Sequence, residues 1–179
     1  RRPRRHGIGA ATGQAQAQAV AESARTGGEM SAYRRILVAV DGSAASMKGL
    51  REAIRLAKDD RAQLYIVHVV NELYAFANLD GFAPSVDIVP ALREGGRRIL
   101  AKAKAVADKE GIRAKTLMRE TPVGAAADII VREARKQGAG LIVLGTHGRR
   151  GLRRAVLGSD AEQVVRRSSV PVLLVRAVN

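Results

Sequence analysis

Short apolar runs alternate with amphipathic segments along most of this chain. Four runs, RILVAV, QLYIVHVV, LIVLG and VPVLLVR, have the length and β-branched content of buried strands, and they lie at residues 35–40, 63–70, 141–145 and 170–176. Residues 112–118, IRAKTLM, alternate like a more exposed strand. Strand–helix alternation of this kind favours right-handed parallel crossovers. It predicts an α/β fold, a three-layer sandwich in which a five-stranded parallel sheet has helices on both faces.

The segments between these runs have apolar residues at helical spacing. They predict helices at residues 44–60, 87–110, 124–137 and 159–168. Ser43 is the expected N-cap of the first helix, and Gly138 is expected to end the third. Residues 71–86 contain glycine, proline and most of the aromatic residues, and are expected to form a long loop.

The first 30 residues differ in composition from the rest. They show no hydrophobic period, and their middle is a Gln-Ala repeat that buries too little to offset its ordering entropy. We expect a disordered basic leader or extension at 1–30 and one domain at 31–179. Met30 is the expected natural start, and the residues before it are then a leader, a tag or read-through. A disordered basic arm is the alternative. A transit peptide is a further possibility, but this segment lacks the amphipathic face of one.

The composition excludes several classes of function. The 179 residues include no cysteine, which excludes disulfides, thiolate metal sites and cysteine nucleophiles and gives no sign of an oxidising compartment. No apolar stretch approaches the roughly 18 residues of a membrane span, so we expect a cytoplasmic protein without a membrane partner. The net charge of +14 suggests nucleic acid, but aromatic residues make up only 3%, so specific nucleic-acid binding is not expected. A solvated basic surface explains the charge equally well.

The stretch GTHGRRGLRRAVLGS follows the fourth predicted strand and is too long for a plain strand–helix turn. Its glycines allow positive φ and close backbone approach, and Gly158 and Ser159 lie where a helix begins, a favourable place for phosphate. The sequence DGS, residues 41–43, follows the first strand and should lie at the same edge of the sheet. Together these features predict a phosphate-binding loop.

Known phosphate-binding signatures do not match this loop. The loop contains no lysine and no Walker A string, and its glycine spacing differs from G-x-G-x-x-G. Its pattern is G-x2-G-x9-G-S, formed by Gly145, Gly148, Gly158 and Ser159. The HxGH string of nucleotidyl transferases and the SGGxDS string of ATP pyrophosphatases are absent as well, which argues against efficient catalysis.

This pattern, with ILVAVDGS, HVV and VPVLLV in the same order, resembles the universal stress protein family, specifically its UspA-like, ATP-binding branch. The resemblance extends over residues 33–177 and implies a fold like that of the adenine nucleotide alpha hydrolases. It also implies ATP as ligand, with Mg or Mn held mainly through the phosphates. The three histidines of the sequence are scattered and lack metal-ligand spacing, so no metal site made by the protein is expected. The residues to which the resemblance assigns the nucleotide are Ala39, Val40, Asp41, Val69, Gly145, Thr146, His147, Gly148, Arg149, Gly158 and Ser159.

Several of these residues allow a simpler interpretation. Asp41 can cap the first helix instead of contacting the nucleoside, and His147 can be a loop histidine at the pocket edge instead of a phosphate ligand. His68 is expected to be a hydrogen-bonded core residue. The four arginines at 149, 150, 153 and 154 can clamp phosphates or only cover the surface.

Three functions fit the sequence. The first is a stress or signalling protein that holds ATP as a regulatory ligand; the others are a slow ATPase and a partner-binding stress module that ignores ATP. The resemblance also implies a homodimer formed through the C-terminal strand, which is apolar and expected at a sheet edge.

Overall fold

Among residues 33–71, 88–121, 125–146 and 158–176, which the structure describes, the computed structural model has five parallel strands in one sheet. The strands are β1 (Arg35–Ala39), β2 (Gln63–Asn71), β3 (Lys115–Thr121), β4 (Leu141–Gly145) and β5 (Val172–Val175). The helices are α1 (Ala44–Asp59), α2 (Val89–Lys109), α3 (Ala126–Gln137) and α4 (Ser159–Arg167). The spatial order of the strands is β3-β2-β1-β4-β5.

The two faces of the sheet pack against different helices. Side chains alternate along a strand, so Ile36 and Val38 of β1 face one layer while Leu37 faces the other. The first layer contains α1 and α2, and the second contains α3 and α4. Central strands with both faces covered explain the continuous apolar runs of the sequence. The predicted three-layer α/β sandwich is confirmed.

Local signals in the sequence set the ends of two helices as predicted. Ser43 is the N-cap of α1, and its hydroxyl oxygen accepts a hydrogen bond from the Ser46 N–H at 3.2 Å. Gly138 ends α3 in the left-handed conformation, with φ of 61°. Both positions therefore have the conformations that their residue types favour.

The third strand was predicted three residues too early. It was expected at 112–118 but spans Lys115–Thr121, paired in register with β2 from Tyr65↔Lys115 onwards. Gly111, with φ of 76°, turns the chain after α2, and the Ile112 N–H donates to Ala107 O at 2.9 Å. Ile112 then packs on the core beneath α1 and α2. The apolar residue that suggested a strand therefore belongs to the turn that follows α2.

Some predictions fall outside the described residues, including the leader at 1–30 and nearly all of the loop at 71–86. Within the part that is described, no helix has the length and apolar character needed to cross a membrane.

One partly buried ion pair links β3 to α3. Arg119 donates from Nε to Glu133 Oε1 at 2.8 Å and from Nη2 to Oε2 at 3.0 Å, in a bidentate arrangement. Gln137 donates to the same carboxylate at 3.3 Å. The Glu133 side chain is only 5% exposed. The hydrogen bonds from Arg119 lower the pKa of Glu133 below its ordinary value and outweigh the burial, which raises it.

We predict that Glu133→Gln lowers the free energy of unfolding by about 1–3 kcal/mol at neutral pH, because the charged carboxylate that accepts hydrogen bonds from the partly buried Arg119 is lost. A carboxyl whose folded pKa is depressed stabilises the fold above its ordinary pKa of 4.5, and the contribution disappears as pH falls through the folded pKa. The difference in free energy of unfolding between wild type and variant should therefore become smaller in acid. Urea unfolding at several pH values measures it.

Glu110→Gln is the control, because it removes the same charge from an exposed pair with Lys58. This control should lower the free energy of unfolding much less than Glu133→Gln does. Equal losses in the two variants, or a gap for Glu133→Gln that stays constant into acid, would contradict the prediction.

Candidate functional site

The strand order reverses at the carboxyl ends of β1 and β4. The chain builds β2 and β3 on one side of β1, then crosses to build β4 and β5 on the other. In open parallel sheets, ligands bind in the crevice at such a switch point. Residues 41–43 leave β1 here, and residues 145–146 leave β4 beside them. The two segments singled out in the sequence therefore start from neighbouring strands at the same edge.

The turn after β1 is built by its own side chains. The Ser43 N–H donates to Asp41 Oδ1 at 2.9 Å, and the Asp41 N–H donates to Ser46 Oγ at 3.3 Å. The Ser46 hydroxyl donates in turn to Ser43 O at 3.0 Å. Gly42 has φ of 84°, which a residue with a side chain rarely adopts. Asp41 thus bonds to the backbone of the N-cap residue without being the N-cap itself.

The strand residues assigned to the nucleoside point to different faces. Ala39 and Val69 are half-buried and pack on the face covered by α3 and α4. Ala39 pairs with Val67, two residues before Val69, so the two side chains are diagonal neighbours on one face. Val40 is turned to the opposite face and is buried in the α1–α2 core. Its N–H donates to Val67 O at 2.9 Å.

His68 is a core histidine with a hydrogen bond, as predicted. It is 8% exposed, and its Nδ1 lies 2.7 Å from Val40 O. Because a carbonyl oxygen only accepts, Nδ1 is the donor. A Cβ on Gly96 of α2 would lie 2.9 Å from the imidazole Cδ2, so the glycine makes room for the ring. His68 therefore holds the carbonyl of Val40, the residue that follows β1 and leads into the turn.

A backbone hydrogen bond joins the two ends of the loop after β4. Thr146, which follows the last residue of β4 and is 7% exposed, donates its N–H to Val175 O at 2.9 Å. Its carbonyl accepts from the Gly158 N–H, also at 2.9 Å. Residues 147–157 lie between these anchors, and the predicted site residues His147, Gly148 and Arg149 among them are outside the described part. The anchors close the loop beside the switch point.

Helix α4 begins at the second anchor. Gly158 is its N-cap, with φ of −60° and ψ of 143°, so this glycine is not in the positive-φ region that the sequence argument considered. Ser159 is exposed and is the first helical residue, and no side chain caps the helix. Asp160 and Glu162 lie in the first turn, where carboxylates favour the helix dipole.

Sequence reasoning missed Ser46, which connects Asp41 to Ser43. The signal was present: a serine lies three residues after the N-cap serine, the spacing at which side chains of the first helical turn reach back. In the described residues no group of three or more histidine, aspartate or glutamate side chains is placed to hold a metal ion.

Comparison with known proteins agrees with this architecture. The model of the universal stress protein family matches residues 32–176. A universal stress protein from Methanocaldococcus jannaschii is 38% identical over 144 residues, which cover 80% of this chain and 82% of the relative.

Solved structures with the same fold are similar over the same region. One, a universal stress protein family member from Burkholderia pseudomallei, is 36% identical, with a TM-score of 0.64, 82% of this chain covered and 98% of that one. Another, from Archaeoglobus fulgidus and in complex with dAMP, is 26% identical, with a TM-score of 0.58 and coverage of 80% and 98%. Because the family model matches most of its length, the chain belongs to the universal stress protein family.

Proposed function

We propose that this universal stress protein binds ATP and holds it as a regulatory ligand in a stress response or in signalling. We call the segment after β4, residues 147–157, the second loop. The observation that best supports the proposal is that its two ends are joined, because Thr146 is hydrogen-bonded to both Val175 and Gly158 at 2.9 Å. A loop anchored in this way at a switch point is suited to present backbone N–H groups to an anion. The dAMP complex of the A. fulgidus relative supports an adenine nucleotide as the class of ligand.

In this proposal the nucleoside lies on the face covered by α3 and α4. Ala39 and Val69 are half-buried neighbours there and would contact the adenine ring. Asp41 would accept a hydrogen bond from the adenine or from a ribose hydroxyl. Val40 would take part only through its carbonyl oxygen, which can accept a second hydrogen bond, since its side chain is in the opposite core and its N–H is bonded to Val67 O.

The phosphates would be held by the second loop. Thr146, His147, Gly148 and Arg149 lie at its start, and Gly158 and Ser159 lie at its end. A divalent cation, Mg or Mn, would be bound mainly by the phosphate oxygens. We place the protein in the cytoplasm, where ATP and Mg are available to it.

We predict that Gly148→Val weakens Mg-ATP binding by at least about tenfold, because a β-branched side chain blocks the close backbone approach to phosphate that the proposal assigns to this glycine. Calorimetric titration measures the affinity. Gly95→Val in α2 is the control, since a Cβ there meets nothing within 4 Å, and it should bind as wild type does. Equal affinities for the two variants would contradict the phosphate-binding role of the loop.

The two alternative functions give different results with the wild-type protein. A slow ATPase would release phosphate from ATP over hours, with loss of release in Gly148→Val. A module that ignores ATP would carry no nucleotide into the supernatant after denaturation and would give no heat in the titration.

We also propose a homodimer that forms through β5. This strand is at the sheet edge, and its four residues are all half-buried. Pro171 O and Val175 O accept hydrogen bonds from the β4 side, so the backbone groups of Val172 and Leu174 point to the open edge. Two copies of this edge can pair antiparallel about a two-fold axis.

We predict that wild type is a dimer at tens of micromolar and that Leu174→Pro is a folded monomer, because proline removes an edge donor and leaves the β4 ladder intact. Light scattering gives the mass, and circular dichroism confirms folding. Leu174→Ala loses the same packing, keeps the N–H and should remain dimeric. A monomeric wild type, or a dimeric Leu174→Pro, would refute dimerisation through this edge.

A further inference from the structure

Gly145, the first glycine of the loop motif, is in close contact with the start of α1. A Cβ at this position would lie 2.7 Å from the carbonyl carbon of Ala45, 2.7 Å from the Ser46 nitrogen and 3.0 Å from Ala45 Cβ. Two of these three atoms belong to the backbone, so no change of rotamer relieves the overlap. Gly145 does not have a positive φ. The absence of a side chain is therefore required by packing and not by backbone conformation.

The other glycine at the contact between α1 and β4, Gly49, is not crowded in this way. Gly49, one turn further along α1, faces the same strand end, and a Cβ on it would lie 3.5 Å from both Gly145 N and the Leu144 carbonyl carbon. That separation is ordinary van der Waals contact. An alanine therefore fits at Gly49, whereas at Gly145 either β4 or the first turn of α1 must move.

The residue that Gly145 contacts is the centre of the turn after β1. Ser46, 4% exposed, donates its N–H to Ser43 Oγ and its hydroxyl to Ser43 O, and it accepts from the Asp41 N–H. A displacement of Ser46 would therefore act on Asp41 through their 3.3 Å hydrogen bond and on Ser43 through the 3.0 Å bond to its carbonyl. On its other side, Gly145 leads directly into Thr146, which anchors the second loop.

We propose that Gly145 is a positioning residue: it seats the first turn of α1 against β4 and so fixes Asp41 relative to the anchored end of the second loop. Its missing side chain makes room for the helix and not for the ligand. The consequence for affinity rests on the proposed ATP binding, but the coupling between Gly145 and the Asp41 turn is a property of the protein without ligand.

The experiment compares Gly145→Ala with the matched control Gly49→Ala. In the ligand-free protein, the amide resonances of Asp41, Ser43 and Ser46 should shift in Gly145→Ala and stay near their wild-type positions in Gly49→Ala. Mg-ATP affinity, by calorimetry, should fall about tenfold in Gly145→Ala and remain within about twofold in Gly49→Ala.

Ser46→Ala is the second variant, and it tests the same coupling without adding bulk. It removes the hydroxyl bonds to Asp41 and Ser43 but keeps the backbone N–H that Ser43 caps, so it should fold and show a similar loss of affinity. If Gly145 acts through Ser46, the double variant should bind no more weakly than Gly145→Ala, a departure from additivity that two independent defects would not produce. If Gly145→Ala does not fold, Ser46→Ala alone decides the coupling.

Two results would overturn the proposal. Unchanged amide resonances of residues 41–46 in Gly145→Ala would remove the coupling, and a loss of affinity with unchanged resonances would assign Gly145 to direct ligand contact. Unchanged affinity and unchanged Asp41 resonance in Ser46→Ala would have the same effect. A wild type that binds no ATP contradicts the proposed function alone, because the ligand-free resonances still test the positioning.

Discussion

The central strand of a parallel sheet must have both neighbours and both faces covered, and β1 meets this requirement fully. It pairs with β2 on one side and β4 on the other, and Ile36, Leu37 and Val38 are completely buried. The chain can turn away from such a strand only at the strand's end, because the N–H and C=O groups along the strand are already bonded to the neighbouring strands. The turn that follows β1 therefore lies where the two halves of the sheet diverge, and the candidate site depends on that placement.

Backbone hydrogen bonds determine where each loop starts. The end of β1 is held by the Val40 N–H bond to Val67 and by the His68 ring on the Val40 carbonyl, so Asp41 begins from a fixed point. The end of β4 is held by Thr146, bonded to Val175 and Gly158. Because these groups have partners within the protein, the residues they anchor are positioned without a ligand. This pre-organisation lowers the ordering entropy that binding has to overcome.

The fold could be predicted from the sequence because both faces of the sheet are buried, which produces apolar runs of strand length between amphipathic segments. The third strand was the exception: Ile112 is apolar because it packs behind α2, and periodicity alone does not separate that role from a strand position. At the candidate site, the motif in the sequence predicted Asp41, Gly145 and Gly158 as ligand residues, which remains a prediction. It could not show that Val40 faces the other core or that Gly145 contacts α1, because both facts depend on tertiary packing.

The glycines of the motif are thus required for different physical reasons. The charged residues around the motif also differ in their effect on a bound phosphate. At the start of α4 the Gly158 N–H is already bonded to Thr146, and two carboxylates follow in the first turn. Glu162 pairs with Arg166 at 3.5 Å, which directs its charge along the helix and away from the N-terminus. Asp160 and Glu162 are both carboxylates, so the first turn of α4 adds negative charge where a phosphate would lie. A triphosphate at this helix end therefore needs positive charge from elsewhere, and the arginines at 149, 150, 153 and 154 are the nearest supply in the sequence. The proposed phosphate binding would therefore depend on the basic loop residues as well as on the start of α4.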